Sequence, residues 1–168
     1  MFNLPVFYQP ESHVKPTSAP LFCWDIANPD MERRIQIHQD MEQMDYLATL
    51  HQWQLDSSYK SCLKDNCSLV ITNLSKEIIW ASRSFQSMTG YEIDEIMGKK
   101  PSFLQGKRTN QQTRQFITEK LSTFETLKVR ILNYRKSGET YWCGVSIAPI
   151  RNSENKITHF IAIEKEVN

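Results

Sequence analysis

The chain has 168 residues, 40% apolar and 11% aromatic, which is enough for one ordinary hydrophobic core and too little for two domains of usual size. Its 20 Lys and Arg residues nearly balance 19 Asp and Glu, so no global field draws it to nucleic acid or to an anionic membrane, and neither is expected as a partner. No uncharged run approaches the ~20 residues that cross a bilayer, and residues 1–20 lack a basic segment followed by an apolar one, so a soluble, cytoplasmic protein is expected.

Residues 1–28 read as an N-terminal arm, partly disordered or docked. Pro5, Pro10, Pro16 and Pro20 break it up, while Phe22, Trp24 and Ile26 are apolar enough to dock. Residues 29–65 read as an N-terminal helical extension. Asn28 suits the N-cap, Pro29 the first helical position, and Asp30 and Glu32 the positive end of the dipole. With no Gly or Pro inside it, one helix is expected over residues 29–57. It carries two apolar seams, one through Ile37, Met41, Met44, Ala48 and Leu55, the other through Tyr46, Leu50 and Trp53. One seam suffices to cover a domain; the second implies a partner surface, so Ile37, Met41, Met44, Ala48, Leu55 and Trp53 are the interface candidates and a homodimer is favoured. His51, in register with the first seam, reads as a packing residue.

Residues 66–168 read as the domain proper. Residues 68–72 and 77–81 form two short strands around an Asn73-Leu74-Ser75-Lys76 turn. Short helices follow at residues 83–88 and 93–97, closed by Gly90 and Gly98. Thr109 or Asn110 caps a longer helix through Lys120, with Phe116, Ile117 and Leu121 expected inward. Strands at residues 124–134, 140–150 and 157–166, joined by turn-forming segments, complete an α+β pattern with one antiparallel sheet. Cys23, Cys62, Cys67 and Cys143 are too few and too irregular for a disulfide framework or a zinc site, so reduced thiols and no metal are expected.

Phe85-Gln86-Ser87-Met88-Thr89-Gly90-Tyr91 followed by Glu95-Ile96-Met97-Gly98 resembles the signature of PAS domains. Ser102-Phe103-Leu104-Gln105-Gly106, Leu132-Asn133-Tyr134-Arg135-Lys136-Ser137-Gly138 and Tyr141-Trp142 resemble the LOV subclass in particular. The resemblance implies a PAS fold: a five-stranded antiparallel sheet with short helices on one face, here with a long N-terminal helical extension. It also implies a flavin pocket, in which a LOV cysteine bonds to the ring under blue light. Pro101 stands where that cysteine belongs and has no sulfur, so the adduct is not expected, and Cys143 falls where the family places an asparagine.

Gln105 and Asn133 match amides that would meet the flavin's polar edge, offering both donor and acceptor. Phe103 is a further pocket candidate. Two phosphate-clamping arginines of the family align with Ser102 and Thr118, and Glu164 takes the place of the final-strand glutamine. These departures weaken the case for FMN. The basic run Lys99, Lys100, Lys107, Arg108, Arg114 keeps it open, since Arg114 lies one helical turn before Thr118. The cofactor is therefore left unknown, with FMN or another small molecule admitted but FMN not expected.

The function expected is a non-enzymatic sensory module whose output passes through association, with a second copy or a separate effector protein. The alternative is a flavin-binding photosensor or redox sensor working without an adduct. Asp45 with His51, and Cys143 with His159, sit in no catalytic motif, so no enzyme is expected.

Overall fold

The computed structural model describes residues 29–65 and 67–168. The expected N-terminal arm, the Asn28 cap and the domain start at Asn66 lie outside the described residues. Helix α1 (Pro29–Leu50) opens on Pro29 with Asp30 and Glu32 in its first turn, and α2 spans Ser58–Lys64. Strands β1 (Ser68–Asn73) and β2 (Ile78–Ala81) form a hairpin, followed by α3 (Arg83–Thr89), α4 (Ile93–Ile96), a 3₁₀ turn (Pro101–Leu104) and α5 (Gln111–Ser122). The long strands β3 (Leu127–Tyr134), β4 (Thr140–Arg151) and β5 (Ile157–Glu166) complete a five-stranded antiparallel sheet in the order β2-β1-β5-β4-β3.

Local chemistry explains several boundaries. Gly90 ends α3 in the left-handed region at φ 76° while its N–H closes on the Gln86 carbonyl at 2.7 Å. The Asn110 side chain accepts from Thr113 N at 3.1 Å and caps α5. Thr109, the other capping candidate, is buried: its hydroxyl donates to the Leu132 carbonyl at 2.7 Å and accepts from Gly106 N at 2.9 Å. In the β1–β2 turn, Asn73 Oδ1 accepts from Glu77 N at 2.9 Å.

The expected single helix over residues 29–57 ends instead at Leu50, and a second helix begins only at Ser58. Gln52 turns left-handed at φ 54°, Trp53 forms an isolated bridge with Asn152, and Gln54 N donates to the Arg151 carbonyl at 2.8 Å. A tertiary contact overrides local helix preference here, because the indole gains more from the core than from another helical turn. Asp56 then restarts the helix by accepting from Ser58 N at 3.0 Å.

The sheet divides the interior in two. Val70, Ile131, Val145 and Ala162 face α3–α5 and pack with Phe85, Ile96 and Leu104. Their neighbours in sequence Leu69, Ile71 and Ile161 face the other way, against Met44, Trp53, Leu63 and Trp80, as the two-residue period of a strand requires. Each full burial of a side chain such as Leu69 or Met44 stabilises by ~1.5–3 kcal/mol over exposure.

Helix α1 is also fastened by polar contacts. Trp80 Nε1 donates to Gln43 Oε1 at 3.0 Å, and Arg83 N donates to Asp40 Oδ2 at 3.0 Å, so a buried α1 carboxylate meets the start of α3. Burial pushes the Asp40 carboxyl above its usual range, against the opposing pull of that N–H. Beyond Leu50, His51 stacks on Trp53 with centroids 4.9 Å apart, and Trp53 Nε1 donates to His159 Nδ1 at 3.0 Å.

Candidate ligand-binding site

A cavity of about 380 Å³ lies between the α3–α5 face of the sheet and the segment from the 3₁₀ turn through α5, a size ordinary for small-molecule sites. Its inner wall is apolar, built from strand residues that include Val70, Ile131, Val145 and Phe160, with Leu104, Ile117 and Leu121 opposite. Asn133, Gln105 and Glu164 interrupt this apolar lining, while Lys76, Lys100 and Arg114 stand at the more exposed end. The lining therefore combines one buried carboxyl with three more exposed cations.

The fold sets each polar group in place. Asn133 and Glu164 share the cavity face with Ile131 and Ala162 by strand periodicity, and Glu164 is held between Ser68 and Val145 in the ladder. Gln105 follows the 3₁₀ turn, and its neighbour Gly106 lies so close to Tyr134 that an added Cβ would sit 2.5 Å from the ring. Tyr134 in turn accepts from Arg108 N at 3.0 Å through its hydroxyl, so ring and loop fix one another.

Glu164 is 4% exposed, and its hydrogen bond is from Cys143 Sγ, a weak donor, at 3.8 Å. Burial pushes its carboxyl up to about 7, the Cys143 contact pulling weakly the other way. Burial likewise pushes the Cys143 thiol up, Glu164 adding to the shift, so the thiol stays protonated. Tyr141 stands opposite Asn133 in the ladder. Its hydroxyl is buried and has no hydrogen-bond partner among the described residues, and burial opposes its ionisation.

Of the pocket candidates, Pro101, Gln105, Arg114, Asn133 and Glu164 line the cavity together. Two differ. Cys143 is fully buried behind Glu164 and not on the wall, and Phe103 packs edge-on against Tyr91 at 5.0 Å with Lys99 over its ring. Phe116, expected inward, is 41% exposed, with Lys120 near its ring; only Ile117 and Leu121 of that trio reach the cavity. The basic run delivers Lys100 and Arg114, and Lys76 joins them from the β1–β2 turn. Nothing in the local sequence pattern marks Lys76, since the hairpin alone brings it there.

The interface candidates have a different environment. Ile37, Met41, Met44, Ala48, Leu55 and Trp53 all pack on the chain's own sheet, leaving Met31, Ile35, Tyr46 and Leu50 exposed on α1. A more open groove of about 870 Å³ runs beside α1, past Asp40, Arg83, Arg135 and Glu166. Its charges are largely used already, as in the Arg135–Glu166 pair at 2.7 Å. Among the described residues no cluster of three His, Cys, Asp or Glu could hold a metal, and no helix is long and apolar enough to cross a membrane.

The blue-light-activated histidine kinase of Brucella anthropi is 39% identical over 90 residues, covering 54% of this chain and 18% of the relative. That of Brucella canis is 34% identical over the same length and shares. The chain thus spans about a fifth of the length of these curated relatives. Among solved structures, the light state of the blue-light photoreceptor Aureochrome1 LOV domain matches with TM-score 0.58 and 33% identity, over 60% of this chain and 81% of that one. The LOV domain of the Erythrobacter litoralis blue-light activated histidine kinase matches with TM-score 0.57 and 28% identity, over 60% and 95%. The PAS domain family model matches residues 66–168, which carry the whole sheet and the cavity, and the chain belongs to the PAS domain family.

Proposed function

We propose that the chain is a non-enzymatic sensory module of LOV-like type that signals through protein–protein association and does not form a cysteinyl–flavin bond. The observation that carries this reading is Pro101 in the cavity wall, at the position where the resemblance calls for the reactive cysteine. Cys143, whose thiol contacts the cavity-lining Glu164, does not replace it: its sulfur is engaged with Glu164 and kept protonated by burial, so it lacks the thiolate character that reactivity needs. Association is favoured by Met31, Ile35, Tyr46 and Leu50, large apolar residues exposed on α1 while its other seam is spent on the sheet. A homodimer or a separate effector would cover them, and α1 couples that surface to the core through Asp40 and Gln43.

Light scattering across a concentration series, repeated with Tyr46→Ser/Leu50→Ser, tests the association. A concentration-dependent dimer weakened by the double variant is expected. A monomer at every concentration that also captures no effector through α1 would refute it.

A second reading is favoured by the cavity itself. Asn133 and Gln105 fit the polar edge of a flavin ring, and Lys76, Lys100 and Arg114 fit its phosphate. Glu164 fits only a hydrogen-bond donor when ionised. Bound FMN would supply light absorption and reversible reduction, while the protein would orient the ring and bind its tail. FMN retained through gel filtration of the purified chain is the expected result on this reading; a chain that ignores added FMN excludes it.

A further inference from the structure

We propose that Glu164 makes the cavity select a planar ring ligand in its reduced, N–H-bearing form over the oxidised form, so that the domain reads redox state. The inference rests on the second reading, that the cavity holds a ring ligand with an anionic tail. It starts from a buried carboxyl that lines the cavity and, among the described residues, has only a thiol at 3.8 Å for a partner. A buried acceptor left so poorly satisfied is costly, and a ligand that donates to it removes the cost.

The chemistry of ring nitrogens then gives the preference its direction. In an oxidised heteroaromatic such as FMN the redox-active nitrogens carry lone pairs, and a carboxylate facing them sets acceptor against acceptor. Two-electron reduction with proton uptake at pH 8 places a hydrogen on the ring's N5, and that N–H is a donor. An amide at this position would serve both forms, because it carries a donor and an acceptor; an ionised carboxylate serves only the reduced one. The cations Lys76, Lys100 and Arg114 line the same cavity and are more exposed than Glu164, an arrangement that would draw an anionic tail toward solvent and leave the ring for the buried end.

The groups facing Glu164 reinforce this arrangement. Cys143 and Tyr141 are both neutral at ordinary pH, their ionisation opposed by burial, and among the described residues no cation offsets the burial of the carboxyl. The carboxyl itself titrates near 7. Above that pH the preference for the reduced form widens, and at pH 5 the protonated carboxyl can donate to an oxidised ring and the preference narrows.

The test is anaerobic equilibrium dialysis of the full chain at pH 8 with FMN, oxidised in one arm and dithionite-reduced in the other, repeated for Glu164→Gln. The wild-type chain is expected to hold reduced FMN at least tenfold more tightly, which for a two-electron couple raises the bound midpoint potential by about 30 mV. Glu164→Gln is expected to erase that ratio. Equal or tighter binding of oxidised FMN by the wild-type chain overturns the proposal, as does an unchanged ratio in the variant. Failure to bind either form overturns it together with the flavin reading, while the association reading is judged separately by mass in solution.

Discussion

The two faces of the sheet are built from alternating residues of the same strands and yet are opposite in character. The face under α1 is closed by Met44, Trp53, Leu63 and Trp80, and both indole N–H groups there have partners, Gln43 and His159. The face under α3–α5 keeps a cavity of about 380 Å³, a buried carboxyl and an unsatisfied tyrosine hydroxyl. Satisfied polar groups in a packed layer serve stability, whereas poorly satisfied ones around a void are retained where a ligand completes them. Substitutions on the first face should therefore weaken the fold, and the central polar substitution on the second should strengthen it.

The largest expected effect is on the closed face. Trp53→Ala removes a core ring, its bond to His159 and the anchor of the Trp53–Asn152 bridge. A loss of ~3–5 kcal/mol is expected, read from the urea midpoint, with faster amide exchange in α1. A loss under about 1 kcal/mol would mean that α1 is not held there.

On the cavity face the sign reverses. The Glu164 carboxyl is raised in the folded chain from 4.5 to about 7, so its contribution to stability is fully present below the unfolded value and is lost as pH rises through 7. Glu164→Gln should accordingly stabilise the ligand-free chain at pH 8 by roughly 3 kcal/mol and do little at pH 4. Thermal melts at the two pH values measure this, and an equal shift at both contradicts it.

Smaller than both is the effect of the His159 contact. Burial and then His51 push His159 down from 6.5 to about 4, and the neutral ring this favours keeps Nδ1 bare to accept from Trp53. The stability it lends is present above pH 6.5 and is lost as pH falls through 4. The expected loss is roughly 1 kcal/mol, solvent screening of the half-exposed ring removing the rest. Tryptophan fluorescence across that window should report release of Trp53, and His159→Gln should flatten the change. The smallest effect belongs to the exposed side of α1, where Tyr46→Ser/Leu50→Ser should leave stability within about 0.5 kcal/mol while shifting a sedimentation profile toward monomer.

Much of the second face was legible in the sequence because it is specified locally. The Asn110 cap and the Gly90 helix end are short-range signals, and Asn133 and Glu164 were found through the resemblance of their local strings to LOV domains before the structure set both on the cavity. The first face was less legible. The end of α1 depends on Trp53 reaching Asn152, about a hundred positions along the chain, and no helical period encodes that contact. The apolar seams were visible, but their division between sheet and solvent was not, since periodicity gives the width of a stripe and not what covers it. Phe116 shows the same limit at small scale: one helical position from Ile117 was enough to turn it outward.

The central claim is a LOV-shaped scaffold without a sulfur bond to the ring, and one spectrum tests it most directly. The chain is loaded with FMN, cleared of free FMN and reductant, and its visible absorbance is followed in air under blue light and then in the dark. With Pro101 in the wall and Cys143 turned to Glu164, the bound-flavin band should persist under illumination. Reversible loss of that band in light with recovery in darkness, abolished by Cys143→Ala, would contradict the account.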